Sequence, residues 1–331
     1  MILTLLSLVA CSGSGNVETL TGSAMGTTYS IKIKGRSAVI TLEEVGDDLA
    51  RLLETIEAEL STYRPQSGIS EFNASTSTDW QPVSELLCES VAAALEISEL
   101  SDGAFDATVG PLVDLWGFGA DGMSFEPPDD GLVEERLAVV GFENLEADCE
   151  KPALRKAIPE LRIDLSGWAK GYAVDQVAER LEELRIDEYL VEVGGELRTR
   201  GTNASDEAWV IAVESPDPEA RSVYATIGVS GLAVATSGDY RNFYEHEGVR
   251  YSHTIDPETG RPVTHDLASV TIVHPSTAYA DALATAIHVL GPEAGYELAE
   301  REGIAALLLS YAPQGVSGRA TPEFARLEPR T

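Results

Sequence analysis

Three short stretches carry side chains whose types and spacing could do chemistry. In Ala280-Asp281-Ala282-Leu283-Ala284-Thr285 the aspartate and threonine lie four residues apart, so on a helix their oxygens share one face. The neighbours are Ala, Leu, Ile and Val, which predicts burial, and a buried carboxylate needs a partner. A hard cation such as Mg²⁺ takes oxygen ligands of this kind and often binds substrate phosphate as well. A local ion pair for Asp281 and a back-bond to the helix for Thr285 would satisfy the same pattern. The run from Asp164 to Asp175 reads as a strand end, a glycine-flanked turn and an amphipathic helix with Lys170 in its first turn. Backbone N–H groups at a helix start attract anions and the lysine adds a mobile charge; a plain strand-to-helix turn with a surface lysine reads the same way. The glycine spacing and Lys-Ser/Thr pair of a Walker A loop are absent. In the third stretch, Tyr251 to Gly260, His253 precedes an Asp-Pro/Thr-Gly turn, which makes it either an acid–base group or a structural histidine. Two backbone-exposing loops accompany these. Asp102 to Asp106, with Thr108, Gly110 and Pro111, could hold an aromatic ligand, and Gly194-Gly195 between two strands permits close approach of a backbone.

The elements that must position these groups follow from periodicity. Thr27 to Lys34 alternates as a strand does. Thr41 and Glu44 form a capping box ahead of apolar residues at helical spacing from Leu42 to Leu60. A loop from Ser61 to Pro65 follows, and Ser84 caps a second helix that ends at Asp102-Gly103. Further helices are predicted near Leu132 to Val140, Gly167 to Leu184, Thr277 to Leu290 and Glu293 to Arg301, with Gly141, Gly291 and Gly303 at C-cap positions. Short β-rich runs occupy Tyr189 to Val193, Trp209 to Glu214, Val223 to Val229, Leu232 to Thr236, Ser269 to His274 and Ile304 to Tyr311. Strands and helices cluster instead of alternating strictly, which favours an α+β fold over a doubly wound sheet.

The chain has 331 residues, 44% of them hydrophobic, enough for a substantial core in one large or two average domains. Past the first ten residues no apolar run is long enough to span a bilayer, which excludes a polytopic membrane protein. Net charge is −32, spread along the chain, and no basic, aromatic-interleaved patch offsets it; nucleic acid is therefore not an expected partner. Of the three cysteines, Cys88 falls in an apolar helical pattern and reads as a buried free thiol. Cys11 closes Leu8-Val9-Ala10-Cys11, which has the form of a bacterial lipobox. That predicts a lipid anchor at Cys11 followed by the tether Ser12 to Gly15, although a positively charged segment ahead of the apolar run is missing.

Taken together and in order, the motifs resemble the ApbE family, the FAD:protein FMN transferases. The blocks are Gly22-Ser23-Ala24-Met25-Gly26-Thr27, Ser61-Thr62-Tyr63, Ser101 to Asp106 with Thr108 to Leu112, Asp164 to Asp175, Val193-Gly194-Gly195, Thr236 to Asp239, His253 to Gly260 and Ala280 to Thr285. The resemblance runs from about residue 22 to 311. It implies an α+β, T-fold-related architecture with mixed or antiparallel sheets packed against helices. The expected organisation is a lipoprotein leader and tether at 1–21, a transferase domain at 22–315 and a C-terminal tail at 316–331.

The same resemblance implies FAD as donor, Mg²⁺ as cofactor and a lipid-anchored setting on the periplasmic face of a bacterial membrane, the inner one favoured. It marks Met25, Tyr63, Ala104, Phe105, Asp106, Asp164, Lys170 and Ile255 as flavin-dinucleotide contacts. Asp281 and Thr285, with the Gly167 carbonyl, become metal ligands, and His253 becomes the catalytic base, with Asp281 or Asp256 in reserve. Implied acceptors are membrane redox subunits of sodium-pumping or Rnf type carrying a Thr or Ser in a flavinylation motif. Ser166 and Trp168 depart from the smaller or aliphatic residues usual around the glycine. The motif residues leave two other outcomes open: an FAD pyrophosphatase, in which water replaces the acceptor hydroxyl, and a non-catalytic FAD-binding lipoprotein.

Overall fold

A computed structural model describes residues 16–35, 40–120, 126–217 and 222–327. Its frame is an eight-stranded sheet whose strands lie side by side in the order in which the chain makes them, each antiparallel to its neighbours. They are β1 (Val17–Ala24), β2 (Thr27–Lys34), β3 (Tyr189–Val193), β4 (Glu196–Arg200), β5 (Ala233–Gly238), β6 (Leu267–His274), β7 (Ala305–Ala312) and β8 (Gly315–Ala320). Alternation of side chains divides the sheet between two cores. Val191, Val193, Ala235, Val270, Ile272, Ala306 and Leu308 join the larger one, under the helices α1 (Leu42–Leu60), α2 (Glu85–Leu100), α3 (Ala169–Glu183) and α4 (Thr277–Arg301). Leu190, Leu197, Val234, Val273, Leu307 and Leu309 face the other way, against the hairpin Trp209–Glu214/Val223–Val229 and Phe324. The fold is thus α+β with antiparallel pairing throughout the main sheet.

Local chemistry accounts for the helix starts. The Thr41 hydroxyl accepts the Glu44 N–H at 3.1 Å while the Glu44 carboxylate accepts the Thr41 N–H at 2.8 Å, the reciprocal box expected from sequence. Ser84 and Ser276 cap α2 and α4 in the same way, with one hydroxyl each. The two helices expected at the end of the chain are both present within α4, separated at Gly291, whose φ of +81° and ψ of −176° are not helical, just before Pro292. A Cβ at 291 would also sit 2.8 Å from the His265 ring.

Four expectations need correction. Cys88 is not a free thiol: it forms a disulfide with Cys149, because α2 packs beside the strand Leu145–Asp148 that leads to Cys149. The two residues are 61 apart in sequence, so no local spacing announces the pair. Part of the supposed tail at 316–331 is folded. It supplies β8 and a short helix, Pro322–Ala325, that buries Phe324 completely; an edge strand held by backbone bonds needs no apolar alternation. Likewise β1 starts at Val17, inside the segment assigned to leader and tether. The strand expected to end at Asp164 is only an isolated bridge between Val109 and Arg162. Cys11 and residues 1–15 lie outside the described residues.

Candidate functional site

Helix α4 lies against α3 and the sheet, and this packing builds one wall of a cavity of about 350 Å³. Gly171 on α3 lets the two helices touch backbone to backbone: a Cβ there would fall 2.5 Å from the Thr277 carbonyl oxygen. Asp175, one turn further along α3, locks the crossing. Its carboxylate accepts the Thr277 and Ala278 N–H groups and the Ser276 and Thr277 hydroxyls at 2.7 to 3.1 Å, and it pairs with Arg198 of β4 at 2.8 Å. The first turn of α4 is therefore capped from another helix, which sets the height at which Asp281 and Thr285 meet Lys170.

Lys170, Asp281 and Glu196 form a charge cluster at this wall, the two carboxylates buried and the lysine partly exposed. The Lys170 ammonium is 2.9 Å from Glu196 Oε1 and 3.7 Å from Asp281 Oδ2, and the latter also accepts the Gly171 N–H at 3.2 Å. Burial raises both carboxyl pKa values, with Lys170 opposing; Glu196 is pushed up to about 7. Burial alone would lower the ammonium, but Asp281 and Glu196 outweigh it and hold Lys170 above the usual lysine value. With both carboxylates ionised, which for Glu196 means above about pH 7, two carboxylates facing one ammonium leave excess negative charge. Of the backbone donors at the start of α3, Ala169 N–H is spent on Leu165 O and Gly171 N–H on Asp281. The anion partner offered here is the lysine rather than the helix terminus.

Thr285 follows Asp281 by one turn, and its hydroxyl shares a 3.1 Å hydrogen bond with Ser237 Oγ at the end of β5. Gly167 comes up against it: a Cβ at 167 would sit 3.0 Å from Thr285 Oγ1 and 3.2 Å from the Phe105 ring. Among the described residues no three His, Cys, Asp or Glu side chains gather as a metal centre. Asp281 and Thr285 bring a carboxylate and a hydroxyl, both hard oxygen donors, to a cavity that Gly167 also lines, beside uncompensated negative charge. That set fits a small hard cation. Trp168 points away from it, buried in the core edge-on to Tyr279 at 5.4 Å, so this departure from the family pattern does not enter the cavity lining.

The opposite wall is made of loops and short strands. Tyr63 stands two-thirds exposed at the rim, its hydroxyl donating to the Phe118 carbonyl at 3.3 Å. His253 follows the strand Val249–Ser252, which Arg250 anchors by pairing with Asp239 and lying over the Phe243 ring. The His253 N–H and Nδ1 both lie 3.1 Å from the Asn242 carbonyl oxygen. A carbonyl only accepts, so Nδ1 carries the ring proton and Nε2 keeps a lone pair. Burial, aided by the Lys170 charge and opposed by the Asn242 contact, pushes the His253 pKa down to about 4. Asp256, the reserve base, is engaged in its own turn, accepting from Glu258 N–H at 2.9 Å and from the Thr259 hydroxyl at 2.8 Å.

Of the residues singled out from sequence, Tyr63, Asp164, Gly167, Lys170, His253, Ile255, Asp281 and Thr285 line this cavity. Met25 lines a second cavity, of about 560 Å³, which shares Tyr63, Ser166 and Lys170 with the first. Its N–H donates to Glu57 at 2.5 Å, fixing the β1–β2 turn beside α1. Ala104, Phe105 and Asp106 lie in neither cavity. They are buried, with the Phe105 ring against Gly167, and the Asp106 carboxylate is occupied by the Thr108 N–H and hydroxyl and the Phe142 N–H. Glu196, Ser237 and Asn242 were given no role from sequence. The only trace of Glu196 was its place after Gly194-Gly195.

Comparison with known proteins places this geometry. The model of the ApbE family matches residues 25–308. The FAD:protein FMN transferase of Vibrio cholerae is 42% identical over 320 residues, 97% of this chain and 95% of that protein. The protein of the same name from Haemophilus influenzae is 39% identical over 327 residues, 97% of this chain and 94% of its own length. Among solved structures, the flavin transferase ApbE from Vibrio cholerae superposes with a TM-score of 0.88 at 40% identity, covering 95% of this chain and 99% of that one.

Proposed function

The chain belongs to the ApbE family and is a FAD:protein FMN transferase, and we propose that Lys170, Asp281, Thr285, Gly167 and His253 carry the transfer with Mg²⁺ as cofactor. The observation that supports this most is the convergence of these five residues on one cavity, with its partner cavity on the far side of Lys170 leaving room for a dinucleotide. An acceptor Thr or Ser hydroxyl attacks the FMN-side phosphorus of FAD, the bond to the AMP phosphate breaks, and AMP leaves. His253 takes the hydroxyl proton on Nε2, the nitrogen its Asn242 contact leaves free. An anionic phosphate in the cavity offsets the Lys170 charge and makes His253 a stronger base than it is alone. Lys170 draws in the pyrophosphate and balances charge as the AMP phosphate departs. Asp281, Thr285 and the Gly167 carbonyl would hold Mg²⁺, which supplies Lewis-acid stabilisation of phosphoryl oxygens.

The acceptors we propose are membrane redox subunits of sodium-pumping or Rnf type, reached from a lipid anchor at Cys11 on the periplasmic face of the inner membrane. The Leu8 to Cys11 pattern supports the anchor. The Cys88–Cys149 disulfide supports an oxidising compartment.

The test is to incubate the protein with FAD, Mg²⁺ and an acceptor domain, recording acceptor mass and released AMP. Transfer gives an FMN-sized mass gain equal in amount to AMP. AMP without mass gain would make the nucleophile water, and neither signal would leave a flavin carrier. His253→Ala should lower kcat by about 10²- to 10⁴-fold with little change in KM for FAD. In the wild type kcat/KM should decline as pH falls toward about 4, where His253 is protonated, and this acid limb should vanish in the variant. An unchanged rate and pH profile would remove His253 from the mechanism.

A further inference from the structure

Glu196 opens β4 immediately after the Gly194-Gly195 turn, and its side chain is only 5% exposed. One carboxylate oxygen meets Lys170 at 2.9 Å. The other, Oε2, is buried and accepts no hydrogen bond among the described residues, although Glu196 is one of the residues that line the cavity. A half-satisfied buried carboxylate is costly, and packing gives no reason to keep it. A neutral amide of the same shape could hold the turn without burying a charge. The ammonium it faces is also shared with Asp281 at 3.7 Å. One positive charge between two carboxylates leaves this wall net negative, although the donor brings a doubly anionic pyrophosphate to the same place.

We propose that Glu196 is a positioning residue that makes donor binding conditional on a divalent cation: it holds Lys170 at the wall and keeps that wall repulsive to FAD until a cation reaches Asp281. The role rests on the reading of this cavity as the FAD and cation site. Once a cation engages Asp281, the wall turns positive, and Lys170, still held by Glu196, faces the pyrophosphate. Without the Glu196 charge, Lys170 has one carboxylate left to answer, the wall is neutral, and FAD no longer needs a cation to enter. The same loss frees the lysine to swing toward Asp281, so the variant gains cation-independent binding and loses turnover.

The experiment measures FAD affinity by flavin fluorescence, in chelator and in saturating Mg²⁺, at about pH 8.5, where Glu196 is ionised. Wild type should bind FAD at least about tenfold more weakly in chelator. Glu196→Gln should bind FAD about tenfold more tightly than wild type in chelator, because its wall is neutral there, while kcat falls several-fold. Glu196→Asp, which restores the charge, should bring the cation requirement back. Should the glutamine variant fail to fold, Glu196→Met leaves no polar atom buried and is read by the same affinity in chelator. A folded variant that binds FAD in chelator no more tightly than wild type overturns the role of Glu196. A wild type whose FAD affinity ignores Mg²⁺ overturns the cation site itself and this role with it.

Discussion

The two walls of the cavity are built in unlike ways. The wall that carries Lys170, Asp281 and Thr285 consists of two long helices packed backbone to backbone at Gly171 and tied by the five hydrogen-bond and ion-pair contacts of Asp175. The wall that carries Tyr63 and His253 consists of a loop and a two-stranded ribbon tied by the Asn242 carbonyl, the Arg250–Asp239 pair and a stack of rings, Trp116, Tyr251, Tyr244 and Phe118. Charged groups that must not move sit on the helical wall, where buried hydrogen bonds over-determine their positions. The group that must gain and lose a proton sits on the other, where the acceptor hydroxyl must also arrive. A fixed electrostatic half and an approachable acid–base half share the work.

The sharpest break in this comparison is Asp281→Asn with Thr285→Ala. Losing the charged oxygen pair should cut kcat/KM by about 10³-fold or more and abolish any response to added Mg²⁺, read as AMP release with and without chelator. Full transfer in chelator would show that the helical wall has no electrostatic task. Asp175→Asn tests whether the helix crossing sets the site without touching substrate. It should cost about 3 kcal/mol of stability by leaving Arg198 unpaired, lower kcat about tenfold, and raise the Mg²⁺ concentration at half-maximal rate. A fall in Tm alone would reduce Asp175 to a structural cap. The smallest effect on chemistry belongs to Cys88→Ala with Cys149→Ala. Loop closure over 61 residues predicts a loss of about 4 kcal/mol in stability, with kcat unchanged while the protein is folded, because neither cysteine lines either cavity. A changed kcat would couple that corner of the molecule to the site.

Much of the helical wall could be read from the chain alone. A four-residue spacing in an apolar helix places Asp281 and Thr285 on one face whatever the helix packs against, and the strand at Thr27 to Lys34 and the capping box at Thr41 are equally local. The loop wall was legible only as a list. Nothing near His253 in sequence shows that its Nδ1 meets Asn242, or that Asp239 and Arg250 fix the ribbon beneath it, since both depend on contacts eleven residues apart across a turn. The flavin-contact reading of Ala104 to Asp106 met the same difficulty. The motif is polar and glycine-rich, as a binding loop would be, but Asp106 spends its carboxylate on Phe142, 36 residues away.

Sequence by itself determined the family, the α+β class, the order of the elements and the residue types that could meet a phosphate, because these depend on periodicity and on chemistry carried by single side chains. The tertiary structure decided which of them meet. It made Cys88 half of a disulfide, drew residues 315–320 into the sheet, tied Asp106 to Phe142 and brought Glu196 into the cavity. Each of these outcomes turns on groups distant along the chain coming within a few ångströms, and the charge a buried group keeps is set by neighbours that only the fold can assign.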